Sequence, residues 1–286
     1  GPNAERLAAA GIAVGDLGMT RGWPSPVAVR SLARRIRESR ADVVQSWMYH
    51  ADLAATAAHA LLPRGHRPVL VWGVRCSDMD LQHYGWRLRA VVRLSAWLSG
   101  RPAAVVANSE TGRVVHQRLG YRPKRFEVIP NGIDTARYRP DAQARARARA
   151  ALGLDAATPV VAHVARVDPM KDHDTLLAAL DRLNGTVALL IGKGTEGLPD
   201  RPGLERLGGR TDVNELLPAA DLIVNSSAFG EGFSNAIAEG MAAGLPAVAT
   251  DVGDASAIIG ETGIVVPPRA PDALAEAIQT LLDEAP

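Results

Sequence analysis

The sequence predicts an α/β protein built from two doubly wound domains, each a parallel sheet with helices on both faces. Three observations lead there. Short apolar, β-branched runs alternate with longer stretches of helical spacing along the chain. Those runs are close to continuously hydrophobic, as strands of a parallel sheet buried on both faces are. Charge also divides at the middle: residues 1–150 hold 24 Lys and Arg against 11 Asp and Glu, whereas residues 151–286 hold 8 against 20. The net charge of +1 over 286 residues thus conceals two oppositely charged halves.

Taken in order, Ala4–Gly11 reads as the tail of a helix already under way. Helical spacing follows over Pro26–Arg40, Ala51–Leu62, Tyr84–Leu98 and Glu110–Leu119. Between these lie strand-like runs at Asp42–Gln45, Pro68–Trp72, Ala103–Ala107 and Phe126–Ile129. Val128-Ile-Pro-Asn-Gly-Ile-Asp134 then makes a turn, because Pro fixes its entry and Asn and Gly tolerate positive φ. It marks the boundary between a domain at residues 1–133 and one at 134–286. Asp141–Leu152, with Arg145-Ala-Arg-Ala-Arg-Ala150, reads as a solvated surface helix, the usual meaning of a charge run. In the second half, strands are expected at Pro159–Val164, Val187–Ile191, Leu222–Asn225, Ala247–Thr250 and Ile264–Val266, with helices at Asp174–Leu183, Asn235–Ala243 and Pro271–Leu282.

Composition narrows the class of protein. At 47% hydrophobic and 22% charged, the chain is neither disordered, collagenous nor a coiled coil. No apolar run approaches the roughly 18 residues that span a bilayer. A single cysteine, Cys76, excludes an internal disulfide and a cysteine zinc cluster and fits a reducing cytosol. The opening Gly1 and the close at Asp283-Glu-Ala-Pro286 lead us to expect a fragment of a longer protein.

The segment richest in chemistry is Phe229-Gly-Glu-Gly-Phe-Ser-Asn-Ala-Ile-Ala-Glu239. Glycines between a strand and a helix let backbone N–H groups approach an anion, and the helix N-terminus adds partial positive charge. Glu231 and Glu239 fall eight residues apart, a span suited to a ribose plus diphosphate at about 1.5 Å rise per residue. Carboxylates accept paired hydrogen bonds from sugar hydroxyls, so the pair fits a nucleotide-sugar better than bare phosphate. Val164-Ala-Arg-Val-Asp-Pro-Met-Lys-Asp-His173 supplies Arg166 and Lys171 on one loop at a strand end, able to clamp a diphosphate. Gly192-Lys-Gly194 and Gly208-Gly-Arg210 are further strand-end loops, and all four would meet at the carboxyl ends of one sheet. In the first half, Trp47-Met-Tyr-His50 and Trp72-Gly-Val-Arg-Cys-Ser-Asp78 place His50 and Arg75 just past strands.

With these residues in place the sequence resembles glycosyltransferase family 4 from about Asn3 to Leu282, and Val71-Trp-Gly-Val-Arg-Cys-Ser-Asp78 is similar to a bacterial surface-polysaccharide subgroup. The resemblance implies a GT-B fold, two Rossmann-like domains facing across a cleft, the first on the acceptor side and lacking its opening strand and helix. It also implies a closing helix that this chain lacks. It implies that Arg166 and Lys171 hold the donor diphosphate, Glu239 the ribose and Glu231 the transferred sugar near its anomeric carbon. Gly232, Phe233, Ser234 and Asn235 would contact sugar and phosphate, Arg210 would flank the base, and His50 and Arg75 would join Glu231 in catalysis. Ser234 stands where proline is common, Gly240 where alanine is, and Cys76 replaces a frequent asparagine.

The expected activity is retaining transfer of a sugar from a nucleoside diphosphate sugar, UDP-sugar first, to an acceptor hydroxyl in polysaccharide or glycolipid assembly. Front-face attack assisted by the leaving phosphate is the expected route, with no metal and no cofactor. Expected partners are that donor, a sugar or lipid-linked acceptor and an anionic membrane surface met by the basic half, with no nucleic acid. The expected location is the cytoplasm, against the inner face of the membrane. Alternatives are a GT-B epimerase or hydrolase of nucleotide-sugars and a non-catalytic nucleotide-sugar-binding remnant. A dehydrogenase is disfavoured, since no G-x-G-x-x-G follows an early strand with an acid about 20 residues on.

Overall fold

The computed structural model describes residues 2–18, 25–78 and 85–284. In chain order they form α1 (Pro2–Ala9), α2 (Pro26–Ser39), β1 (Val43–Trp47), α3 (Tyr49–Ala60), β2 (Val69–Val74), α4 (Trp86–Leu98), β3 (Ala104–Ala107), α5 (Glu110–Arg118) and β4 (Phe126–Val128). There follow α6 (Ala142–Ala151), β5 (Val160–Val164), α7 (His173–Leu180), β6 (Val187–Ile191), β7 (Leu204–Gly208), α8 (Val213–Leu216) and β8 (Leu222–Asn225). The last elements are α9 (Asn235–Ala242), β9 (Ala247–Thr250), α10 (Ala255–Ile259), β10 (Gly263–Val266) and α11 (Pro271–Glu284). Packing divides them into two compact units, residues 2–74, 85–106 and 116–127 in one, residues 75–78, 107–115 and 128–284 in the other.

In the first unit the strand order is β1-β2-β3-β4, with β1 and β2 parallel and in register from Val43 against Val69 to Trp47 against Gly73. Ser25 caps α2 by accepting from the Ala28 N–H, and Pro26 sits at its first position, where no amide is needed. Ala33 and Ile36 of α2 then bury against Ala58 of α3 and Leu62.

The second unit holds a fully parallel six-stranded sheet in the order β10-β9-β8-β5-β6-β7. Numbered from the first strand of that unit, this is the doubly wound order 3-2-1-4-5-6, which reverses between β5 and β8. Side chains alternate across each strand, and both faces are dry. Val160, Ala162, Leu189, Ile191 and Ile223 enter the core beneath α6, α9 and α10. Val161, Ala188, Leu190, Leu222 and Val224 enter the core beneath α7 and α11. The near-continuous apolar runs follow from this two-sided burial.

Most elements fall within a few residues of expectation; Tyr84, expected to open a helix, lies outside the described residues. Two readings need correction. Leu204–Gly208 is a strand that the sequence pattern did not announce, since it lies at the sheet edge and carries Glu205 and Arg206. The helix expected to be solvated, α6, is in fact tied inward. Arg149 is buried, donating to the carbonyls of Ala219, Asp155, Ala156 and Thr158 and, at 2.9 Å, to the Asp221 carboxylate. Arg145 grips the other oxygen of Asp221.

Asp52 of α3 is fully buried, and its Oδ1 accepts from the Ser46 hydroxyl at 2.6 Å while Oδ2 has no partner. Burial pushes its carboxyl up from 3.8 to about 7, against smaller opposing hydrogen bonds from Ser46 and the Gly73 backbone. The unfolded chain ionises near 3.8, so stability falls as pH rises from about 4 and the loss is complete above about 7. The full cost is roughly 4 kcal/mol. Asp52→Asn is expected to raise the urea midpoint at pH 8 and leave it nearly unchanged at pH 4, which denaturation of both proteins at the two pH values measures.

Candidate functional site

At the carboxyl ends of β5, β6 and β7 and the start of α9, loops enclose a cavity of about 400 Å³ in the second unit. Arg166 and Lys171 line it from the loop after β5, Gly192 and Lys193 from that after β6, and Gly209 and Arg210 from that after β7. Glu231, Phe233, Ser234, Asn235 and Glu239 complete the wall. This is the crevice beside the strand-order reversal, where doubly wound sheets bind ligands. A larger cavity, about 750 Å³, lies along α6 and α8 and shares Arg210, but it does not reach the ends of β5 and β6.

Local sequence explains how each side chain is placed. Asp168 accepts from the Met170 N–H and opens a 3-10 turn at Pro169–Lys171. Asp172 then caps α7 by accepting from the amide and hydroxyl of Thr175. Lys171 is thereby fixed at the mouth of α7, and its carbonyl accepts from the Ser226 hydroxyl at 2.8 Å. On the facing loop, Asn225 ends β8 and pins the chain twice, accepting from Ser227 N–H and donating to the Ser234 hydroxyl. Gly253, at φ +68°, packs beneath: a Cβ there would lie 2.4 Å from the Glu231 carbonyl and 2.5 Å from that of Gly232.

The central contact is an ion pair between Lys171 Nζ and Glu231 Oε2, each side chain only 13% exposed. Ser227 adds its hydroxyl, donating to the same oxygen at 3.2 Å. Glu239 is half-buried, and burial raises its carboxyl above the usual range; a hydrogen bond from Tyr138 and the charge of Arg137 oppose this. Serine 234 caps α9 without a side-chain bond to its first-turn amides, which leaves those N–H groups available at the cavity. Arg166 pairs with Asp168 at 3.0 Å and Arg210 with Asp212 at 2.5 Å. Beneath Lys171, His163 and His173 meet edge to face at 5.0 Å, and burial lowers both below the usual histidine range, so neither adds charge at neutral pH.

The structure therefore brings Arg166, Lys171, Arg210, Glu231, Phe233, Ser234, Asn235 and Glu239 to one cavity. Gly232 is buried beside it, where a Cβ would come within 2.6 Å of Asn108 Oδ1. His50 and Arg75 are not among the lining residues. His50 is half-buried in the first turn of α3; Arg75 is exposed, two residues before Ser77, whose N–H donates to the Gly230 carbonyl at 3.3 Å. Ser227, Tyr138, Asp168 and Asp212 also support these side chains, although the sequence pattern alone does not single them out. The one signal that the two acids carry is a repeated Arg-x-Asp at Arg166–Asp168 and Arg210–Asp212. Among the described residues no group of three His, Cys, Asp or Glu is placed to hold a metal ion.

Residues 3–137 match the family described as Glycosyltransferase Family 4, and residues 158–284 match Glycosyl transferases group 1. D-inositol 3-phosphate glycosyltransferase of Rhodococcus erythropolis is 32% identical over 203 residues, covering 62% of this chain and 45% of that protein. The enzyme of the same name from Mycobacterium tuberculosis strain H37Ra is 33% identical over 196 residues, covering 62% and 40%. The chain thus spans less than half the length of these relatives. Among solved structures, Anabaena HepE in complex with UDP-glucose superposes with a TM-score of 0.84 at 23% identity, over 99% of this chain and 80% of that one. Sucrose-phosphate synthase of Thermosynechococcus elongatus gives 0.78 at 20% identity, over 99% and 82%. With a glycosyltransferase model matching each half and the fold shared with these structures, the chain belongs to glycosyltransferase family 4, of the GT-B fold.

Proposed function

We propose that this protein transfers a sugar from a nucleoside diphosphate sugar, UDP-sugar first among candidates, to an acceptor hydroxyl with retention of configuration. The observation that carries the reading is the single cavity in which the Lys171–Glu231 ion pair, Glu239 and the start of α9 converge. Lys171, Arg166 and the α9 amides meet the charge that grows on the leaving diphosphate as the glycosidic bond stretches. Glu239 accepts from the ribose hydroxyls, and the Arg210 loop flanks the base. Glu231 orients the transferred sugar. Its Oε2 is engaged by Lys171 and Ser227, and the proposed route is attack from the leaving-group face. The positive field comes from the chain itself, so the reading calls for no resident cofactor or metal.

The relatives support a sugar donor: Anabaena HepE binds UDP-glucose and UDP. The acceptor in this reading is a sugar or a lipid-linked sugar in polysaccharide or glycolipid assembly, met at the cytoplasmic face of a membrane. Among the described residues no helix is long and apolar enough to cross one. His50 and Arg75 are proposed to act with Glu231 in catalysis. Calorimetric titration with UDP tests the donor site: binding is expected, and Glu239→Gln is expected to weaken it about tenfold through loss of a charge-assisted hydrogen bond. No heat with UDP or any other nucleoside diphosphate would reject the assignment.

A further inference from the structure

The α4 helix of the first unit presents a face that the sugar-transfer reading does not use. Trp86, Arg89, Arg93 and Trp97 stand at positions i, i+3, i+7 and i+11 and so share one stripe. All four are exposed, the two indoles to 69% and 76%. The opposite face, Val91, Val92, Ser95 and Ala96, is buried. No acid occurs anywhere in this helix, and Arg87 lies over the Trp86 ring at 5.7 Å. The indoles are separated along the axis by about 16 Å at 1.5 Å per residue. At the C-terminal end, the Ser99 hydroxyl accepts from the Arg122 N–H at 2.8 Å, bringing the neighbourhood of exposed Lys124 to the same end as exposed Arg101.

Single exposed apolar side chains are ordinary, but two tryptophans in line, with arginines between them, form an organised surface. We propose that α4 is the contact surface for an anionic lipid bilayer. The helix lies in the plane of the interface, the indoles enter at headgroup level and the guanidinium groups meet lipid phosphates. Charge decides for a bilayer over a second copy of this chain, which would set Arg89 and Arg93 against the same arginines. The first unit also holds sixteen Lys and Arg against six Asp and Glu among its described residues, a diffuse excess that a broad anionic plane satisfies. This inference does not rest on the sugar-transfer reading, since α4 and the cavity belong to different units.

Sedimentation of the 286-residue chain with vesicles tests it, comparing phosphatidylcholine alone with phosphatidylcholine containing phosphatidylglycerol. The chain is expected to pellet with the anionic vesicles, to stay in solution with the neutral ones and to be released in part by high salt. Trp86→Ser with Trp97→Ser, and separately Arg89→Glu with Arg93→Glu, should each weaken binding at least tenfold. Both pairs should leave the thermal transition and UDP titration unchanged, which separates a failure here from a failure of the donor site. Equal pelleting with both vesicle types, none with either, or wild-type binding by both variants overturns the proposal. So does a tryptophan variant that changes only the sedimentation mass, because that outcome assigns the stripe to a second copy.

Discussion

Replacing Lys171 with alanine is expected to lower donor turnover by about 10²- to 10³-fold, the range seen when one charge-stabilising donor is removed from an active site. Two effects combine. The ammonium aimed into the cavity no longer meets the leaving diphosphate, and Glu231, mostly buried, loses its ion-pair partner. The unpaired carboxylate then repels the incoming anion. UDP affinity is therefore expected to fall as well, by more than it does in Glu231→Gln, which keeps the cation. Because the two side chains touch, the double variant Lys171→Ala with Glu231→Gln should lose less than the sum of the single losses. Initial rates of donor consumption and UDP calorimetry on the four proteins measure these differences. Unchanged turnover in Lys171→Ala would remove the basis for the proposed function.

Asp221→Ala is expected to destabilise the second unit by about 3–5 kcal/mol, as losing one partner of a buried ion pair does. Asp221 Oδ2 accepts from Arg149 at 2.9 Å and from the Val160 N–H at 2.7 Å, while Oδ1 takes Arg145. Without it, the buried Arg149 guanidinium keeps only carbonyl partners and the first amide of β5 is left unpaired. Replacing the triad with apolar residues of similar volume at positions 145, 149 and 221 should not recover the loss, since the Val160 N–H and the carbonyls of Asp155, Ala156, Thr158 and Ala219 would then lack these partners. Urea unfolding followed by far-ultraviolet circular dichroism measures both. A loss below about 1 kcal/mol would show that the carboxylate is as solvated as an ordinary surface acid.

The strands of the second sheet are legible because each is buried on both faces, so apolar residues run without interruption, as in Val187–Ile191 and in Leu222, Ile223 and Val224. Where that condition fails, at the edge strand Leu204–Gly208, the signal disappears. Helix α6 was misread for a different reason: an Arg-Ala alternation says nothing of a partner, and Asp221 lies 72 residues beyond Arg149. At the candidate site, single residues and their loops were readable, but the Lys171–Glu231 pair joins positions 60 apart and emerged only from the fold. The charge division also changes meaning. The arginines of α6 belong to the acidic unit, which among its described residues holds fifteen Lys and Arg against 24 Asp and Glu, so part of the basic half is neutralised within its opposite.

The reversal of strand order between β5 and β8 splits the cavity wall into parts that can vary separately. Lys171 and Glu231, assigned to bond cleavage, come from the loops that flank the reversal, after β5 and β8. Lys193 and Arg210 come from the outer strands β6 and β7, whose loops make no hydrogen bond to the Lys171–Glu231 pair among those described. On the proposed reading, substitutions of the Lys193 and Arg210 side chains can thus alter which donor is held, whereas Gly192 is fixed, because a Cβ there would lie 2.0 Å from the Ala165 carbonyl beside Arg166. A sheet wound in this way offers a route by which one lineage acquires new donors while its chemistry is inherited intact.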